Sequence, residues 1–487
     1  MKSSNLWILT EERPKREVLF TIIKKFADDN GISFFVEQNI FIVPTLCTNG
    51  NFAFKYAILG VHSPIIKNVF LCVVSGNSSF TDFLIFYQDN IPNPLQDTPL
   101  YAIEETKTSD YESRNTGVFQ RASKFVFIDL YYKNIKKIML YSIRIGQDKK
   151  PTKTNIFGTK CLATLGVQIL GKSLDDDTIS PFTDIDELIE FKNSMRLPPK
   201  GNIPILIRKV ENKITISGRL EKNGTLSHDP NIGALSLISA TLRALGYVGK
   251  IEITSHNLSQ NQVGRGNKFV SIANLLGISL ENIDLPAIQN NDSYWRYETQ
   301  GEKIATIFLH LVVEEFTRAR AIYENHAGCE RGYFITQNNE NLTVEKYENR
   351  DEYKNGNENA RIFIPDLVLA DFDRKQIINI EGKKFIKVQC GIDELENYDA
   401  FENLYIKKHY EDYKIIRTVV LFGGEINEIS NLSFPKINFN DIPKIGFVLT
   451  KNGKTILQIH SPKIFGEAIF HLRSYYGLNK FCVHIID

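Results

Sequence analysis

The stretch from Ile364 to Lys384, IPDLVLADFDRKQIINIEGKK, limits most sharply what this chain can become. It reads as two strands joined by a short polar turn. The first opens at Pro365-Asp366 and runs Leu367-Val368-Leu369-Ala370. The second is Ile377-Ile378-Asn379-Ile380-Glu381, ending in Gly382-Lys383. Alternate side chains of a strand share a face, so Glu381 and Lys383 point the same way. A hairpin partner brings Asp366 beside them. Two carboxylates and a lysine at the end of apolar strands are costly unless a divalent cation and an anionic substrate complete the site. Oxygen ligands of this kind suit Mg²⁺, which polarises a phosphate and lowers the pKa of a bound water. A lysine there stabilises developing charge and orients the attacking water. The chemistry that fits is phosphodiester hydrolysis.

An amphipathic helix follows, with Ile392, Leu395, Tyr398, Phe401 and Leu404 near helical spacing. A strand, Thr418 to Phe422, is closed by Gly423-Gly424. The same grammar occurs once before. Ser79 to Tyr87 reads as a strand carrying Asp82, and Gln88 to Pro99 as a polar loop. Leu100 to Lys107 is the next strand, with Glu105 and Lys107 on the face of Tyr101 and Ile103. A helix with Val118, Ala122 and Phe125 inward leads to the strand Lys137 to Tyr141.

Pro365-Asp366 with Glu381-Gly382-Lys383, and Asp82 with Glu105-Thr106-Lys107, resemble the motif of the PD-(D/E)xK nuclease superfamily, as found in type II restriction endonucleases. The earlier copy has Thr81 in place of the proline. The resemblance covers roughly residues 14–145 and 291–425. It implies an α/β (α+β) protein with two mixed-sheet cores flanked by helices. It also implies Mg²⁺ held by Asp366 with Glu381 and by Asp82 with Glu105, and Lys383 and Lys107 acting on the transition state. Glu17 and Glu302, on helices upstream of each motif, are the extra carboxylates such a fold can lend to the metal. The implied activity is cleavage of double-stranded DNA at a specific sequence, leaving 5′-phosphates. A cognate DNA methyltransferase in the host is the expected partner. With two working sites the chain cuts a duplex as a monomer; with one it works as a homodimer or nicks twice.

A chain of 487 residues is too long for one ordinary domain. The reading divides it into a nuclease-like core at 1–150, an αβ region at 151–290, a second core at 291–425 and a small αβ cap at 426–487. Within the αβ region, SHNLSQNQVGRGNK offers His256, Asn257, Gln260, Arg265, Asn267 and Lys268. Asn, Gln and Arg make the paired hydrogen bonds that distinguish base edges, and Lys holds phosphates, so this stretch is the candidate for reading DNA. Net charge is only +1, so composition carries no general signature of polyanion binding. No apolar run reaches membrane-spanning length, and the first residues lack the apolar core of a signal peptide. Six cysteines stand singly, with no CxxC pair, which argues against a disulfide framework or structural zinc and for a reducing cytoplasm. Two other readings stand beside restriction: a defence or repair nuclease that recognises structure or modification, and a DNA-binding protein whose cores are inactive.

Overall fold

Strands, several of them buried on both faces, and the helices between them in the chain form a mixed α/β protein, the class expected from the sequence. The structure is a computed structural model. It describes residues 2–11, 13–46, 52–76, 81–106, 117–129, 131–141, 152–171, 179–197, 203–222, 225–226, 230–264, 268–288, 297–298, 301–325, 333–349, 352, 356–357, 360–424, 445–449, 455–476 and 482–486. The chain divides into two compact units, one made of Met1–Ser75 with Glu298–Asp487 and the other of Gly76–Tyr297.

The first unit begins with β1 (Ser4–Thr10), α1 (Arg16–Asp29), β2 (Phe35–Leu46), β3 (Phe52–His62) and β4 (Ile66–Val73). These strands lie in the order β2-β3-β4-β1, parallel between β1 and β4 and antiparallel elsewhere. Val18, Ile22 and Phe26, four residues apart, form the buried face of α1 with Leu19 and Ile23.

In the second unit, β5 (Phe83–Tyr87) and β6 (Tyr101–Thr106) pair antiparallel. Helix α2 (Gly117–Ile128) connects to β7 (Lys136–Tyr141), which runs parallel to β6. Helix α3 (Lys153–Thr164), capped by Thr152, leads to β8 (Gln168–Leu170), and α4 (Ile185–Asn193) is capped by Asp184. A second sheet holds β9 (Ile207–Val210), β10 (Lys213–Ser217), β11 (Lys250–Thr254) and β12 (Ile278–Leu280), with α5 (Pro230–Ala244) and α6 (Lys268–Leu276) between its strands in the chain. Gly246, at φ +86°, ends α5 as a left-handed turn requires. Phe119, Ala122 and Phe125 of α2 share one apolar cluster with Leu235, Ile238 and Leu242 of α5 and Phe269 of α6. The sequence reading placed a boundary near residue 150; the structure runs a single core through it.

The chain then returns to the first unit. Helix α7 (Glu302–Phe316) buries every residue from Ile304 to Val313. It is followed by β13 (Arg320–Glu324), β14 (Leu367–Asp371), β15 (Gln376–Lys384), α8 (Val388–Leu395), β16 (Lys414–Phe422), β17 (Ile445–Leu449), β18 (Thr455–Ile459), α9 (Lys463–Tyr476) and β19 (Cys482–Ile486). Tyr333–Ile335 pairs with Asn341–Thr343 in a separate hairpin, and the seven strands β13 to β19 form one sheet in chain order. Its last three strands extend the sheet of the preceding four, so residues 445–486 are no separate cap.

The single helix expected through Leu404 is broken. Helix α8 ends at Leu395, and Glu402–Ile406 form a wider π turn. The buried Glu402 carboxylate accepts Asn379 Nδ2 at 2.7 Å and Arg417 Nε at 2.8 Å. That polar anchor coincides with a change of partner: Leu395 and Tyr398 pack with Val419 and Leu421, whereas Phe401 and Tyr405 join Phe334 and Ile377.

Candidate active site

One local plan occurs in both units: an antiparallel pair, a helix, and a strand parallel to the pair's second member. In the first unit these are β14, β15, α8 and β16. The register Leu367↔Ile380, continued by one residue, sets Asp366 opposite Glu381. Asp366 Oδ2 accepts the Gly382 amide at 2.9 Å, which fixes the carboxylate at the strand end. Glu381 and Lys383 face α8, because Lys383 Cγ and the Val419 methyls are what a Cβ on Gly391 would meet. Gly382, between them, faces α7, where a Cβ would run into Thr306 Oγ1. Lys383 Nζ donates to Glu381 Oε1 at 2.6 Å and to Glu394 Oε2 at 2.9 Å. The Tyr398 hydroxyl donates to the other Glu381 oxygen. Glu302, first residue of α7, accepts the Lys384 amide at 2.9 Å. The structure therefore gathers the expected Asp366, Glu381, Lys383 and Glu302 and adds Glu394 and Tyr398.

Burial, the Asp366 charge and the neighbouring Glu394 push the Glu381 carboxyl up to about 8, against Lys383 and Tyr398. For Lys383, burial opposes the charge, yet its bonds to Glu381 and Glu394 hold the ammonium above the usual lysine range. Burial and the adjacent Glu381 also hold Tyr398 well above the ordinary phenol. Among the described residues that touch at this strand end, several carboxylates surround the one ammonium of Lys383. Asp366, Glu381 and Glu302 are hard oxygen donors of the type Mg²⁺ takes, commonly one or two carboxylates with the rest of the shell from water and phosphate. Among the described residues no group of three or more His, Cys, Asp or Glu is arranged to hold a metal ion.

In the second unit the register Phe83↔Ile103, continued by one residue, sets Asp82 opposite Glu104. Asp82 Oδ2 accepts the Glu105 amide at 2.6 Å, the counterpart of the Gly382 bond to Asp366. Successive strand residues alternate, so Glu104 holds the face of Asp82, while Glu105, expected to share a metal with Asp82, holds the face of Ile103. Lys124 Nζ, from α2, lies 2.8 Å from Glu104 Oε1 and 3.0 Å from Oε2. Arg121 Nη1 lies 3.8 Å from Asp82 and 3.9 Å from Glu104, and donates to the Glu105 carbonyl. Burial and the Asp82 charge push Glu104 up to about 7, with Lys124 and Arg121 opposing. Lys107 lies outside the described residues. Glu17 is exposed on α1, away from its buried face.

Three of the residues expected to read DNA, His256, Gln260 and Lys268, are engaged inside their own unit. His256 is buried; its Nε2 bonds the Glu281 carbonyl at 2.8 Å and its Nδ1 accepts the Leu258 amide at 3.1 Å. Gln260 makes two bonds to the Asp284 backbone, at 2.8 and 2.9 Å. Lys268 is buried with its ammonium 5.2 Å from the Phe127 ring centre. Burial, with Lys124 nearby, lowers it to about 8. Asn257, at φ +58°, is exposed, and Arg265 and Asn267 lie outside the described residues.

Sequence reasoning missed Glu104, Arg121, Lys124, Glu394 and Tyr398. Tyr398 was visible as an apolar position, but its hydroxyl gave no sign of a carboxylate partner. A usable signal lay in α7, where Glu302, Thr306, His310 and Glu314 recur every four residues inside an otherwise apolar helix. No family model, no curated protein and no solved structure matches this chain.

Proposed function

We propose that this chain is a Mg²⁺-dependent endodeoxyribonuclease that hydrolyses double-stranded DNA at a specific sequence, in the manner of a type II restriction enzyme. What carries the reading is the convergence of Asp366, Glu381 and Lys383 at one end of β14 and β15, with Glu302 alongside. Asp366 and Glu381 would hold the cation, which when bound supplies a polarised phosphate and a more acidic water. Lys383 sits where its ammonium can stabilise charge on the scissile phosphate. Tyr398 and Glu394 orient Glu381 and Lys383 from the α8 side. The buried β14 and β15 keep the carboxylates at a fixed spacing.

The test is digestion of unmethylated supercoiled plasmid and phage DNA with Mg²⁺. The wild type should give discrete fragments, and Lys383→Ala and Asp366→Ala should each lose at least roughly 100-fold in rate. A wild type that cuts no DNA would sink the proposal and favour a DNA-binding protein. A restriction role also calls for a methyltransferase protecting the host. The internal engagement of His256, Gln260 and Lys268 favours a second reading, a defence or repair nuclease that recognises structure or modification. That enzyme would give no discrete bands on plain plasmid and would cut modified or branched DNA. No described helix is long and apolar enough to cross a membrane.

A further inference from the structure

The two hairpins can be compared residue by residue, because the same backbone bond marks the same place in each. Glu105 N bonds Asp82 as Gly382 N bonds Asp366. Glu104 then corresponds to Glu381, Glu105 to Gly382 and Thr106 to Lys383. The position of the catalytic lysine is therefore held by an uncharged residue in the second unit. Positive charge reaches that hairpin end from a helix instead, through Lys124 and Arg121. Lys268 adds a further charge that interacts electrostatically with both Lys124 and Glu104.

The consequence lies in the sign of the charge. At the Asp366 hairpin, one described cation, Lys383, faces Glu381 and Glu394, with Asp366 and Glu302 close by. At the Asp82 hairpin, two cations lie within 4 Å of two carboxylates. A divalent ion entering the first place relieves repulsion between carboxylates. Entering the second, it must break ion pairs that a partly buried ammonium and guanidinium already make there.

We propose that the Asp82–Glu104 hairpin is a metal-free counterpart of the Asp366–Glu381 hairpin, in which Lys124 and Arg121 take the charge role of a divalent cation, so that each chain carries one hydrolytic centre. This rests on the nuclease reading above. Duplex cleavage then needs two copies of the chain or two encounters, and a nicked circle precedes the linear product.

Binding of Mn²⁺ alone, without DNA, tests this directly by calorimetry and electron paramagnetic resonance on the intact chain. The expected result is one equivalent in the wild type, lost in Asp366→Ala and kept in Asp82→Ala. Lys124→Met with Arg121→Met should gain a second equivalent, which adding Asp82→Ala removes. Two equivalents in the wild type, one lost in Asp82→Ala, would overturn the inference and leave the nuclease reading intact. No Mn²⁺ in the wild type would overturn both. If the double variant fails to fold, the comparison of the two single aspartate variants still decides.

Discussion

Tyr398 brings a hydroxyl to a carboxylate that is almost wholly buried. Phenylalanine fills the same volume and removes only that donor. A neutral hydrogen bond contributes about 1 kcal/mol net, and one to a charged group more. Tyr398→Phe should therefore leave the fold intact while raising the Mg²⁺ concentration for half-maximal cleavage roughly 5-fold. A fall in melting temperature with unchanged metal dependence would give Tyr398 a structural role only. Gly382 presents the opposite case. A methyl there meets Thr306 Oγ1 and comes within 3.3 Å of Asp366 Oδ2, with the Glu302 carbonyl 3.4 Å away. Gly382→Ala should cost about 1–3 kcal/mol of stability, read from the urea midpoint.

At the scale of elements, what could be read in advance depended on how tightly a turn sets register. Four residues, Phe372 to Lys375, join β14 to β15, so the spacing of Asp366 and Glu381 allowed little slip. Between β5 and β6 run thirteen residues, 88–100, whose turn chemistry does not specify pairing. There a one-residue error exchanged Glu105 for Glu104 and reversed the face. The apolar stripe after β15 identified the buried residues but not the π turn, because Glu402 reads as an ordinary helix surface residue until Asn379 and Arg417 are seen around it. The short segment from Lys384 into α8 leaves Lys384 and Lys387 exposed beside the site. If DNA lies there, each contacts a phosphate without reading sequence. Lys384→Ala and Lys387→Ala should each flatten the slope of log affinity against log salt by about 1 and leave the sequence preference unchanged. An unchanged slope would place the DNA elsewhere.

Across the whole molecule, the association least legible in the sequence is that of the first 75 residues with the last part of the chain. Its charged contacts form only after distant segments meet. Arg13 pairs with Glu314, and Arg16 Nη2 with Glu315 at 2.6 Å. Buried His310 lies between Glu314, 3.1 Å from Nε2, and Glu324 at Nδ1. Burial alone would lower the His310 pKa, but Glu324 and Glu314 outweigh it and raise it to about 9, while Arg13 opposes them. Against burial, His310 and Arg13 draw Glu314 down to about 2. A histidine whose folded pKa lies above its unfolded value, near 6.5, stabilises fully below that value and loses the effect as pH rises through 9. A shift of this size corresponds to about 3 kcal/mol. Glu314 contributes in the other sense: its stabilisation is present above its unfolded pKa of 4.5 and is lost as pH falls through about 2. Urea stability of this unit should therefore fall from pH 6.5 to 9, and the raised Glu381 carboxyl adds to that fall up to about pH 8. In His310→Gln with Glu324→Gln, the buried ion pair is replaced by neutral groups, and the loss over that window should shrink to the part below pH 8 that Glu381 carries. Equal alkaline slopes in the two proteins would mean that His310 is neutral in the folded chain, and that Arg13 and the Ala321 amide hold Glu314.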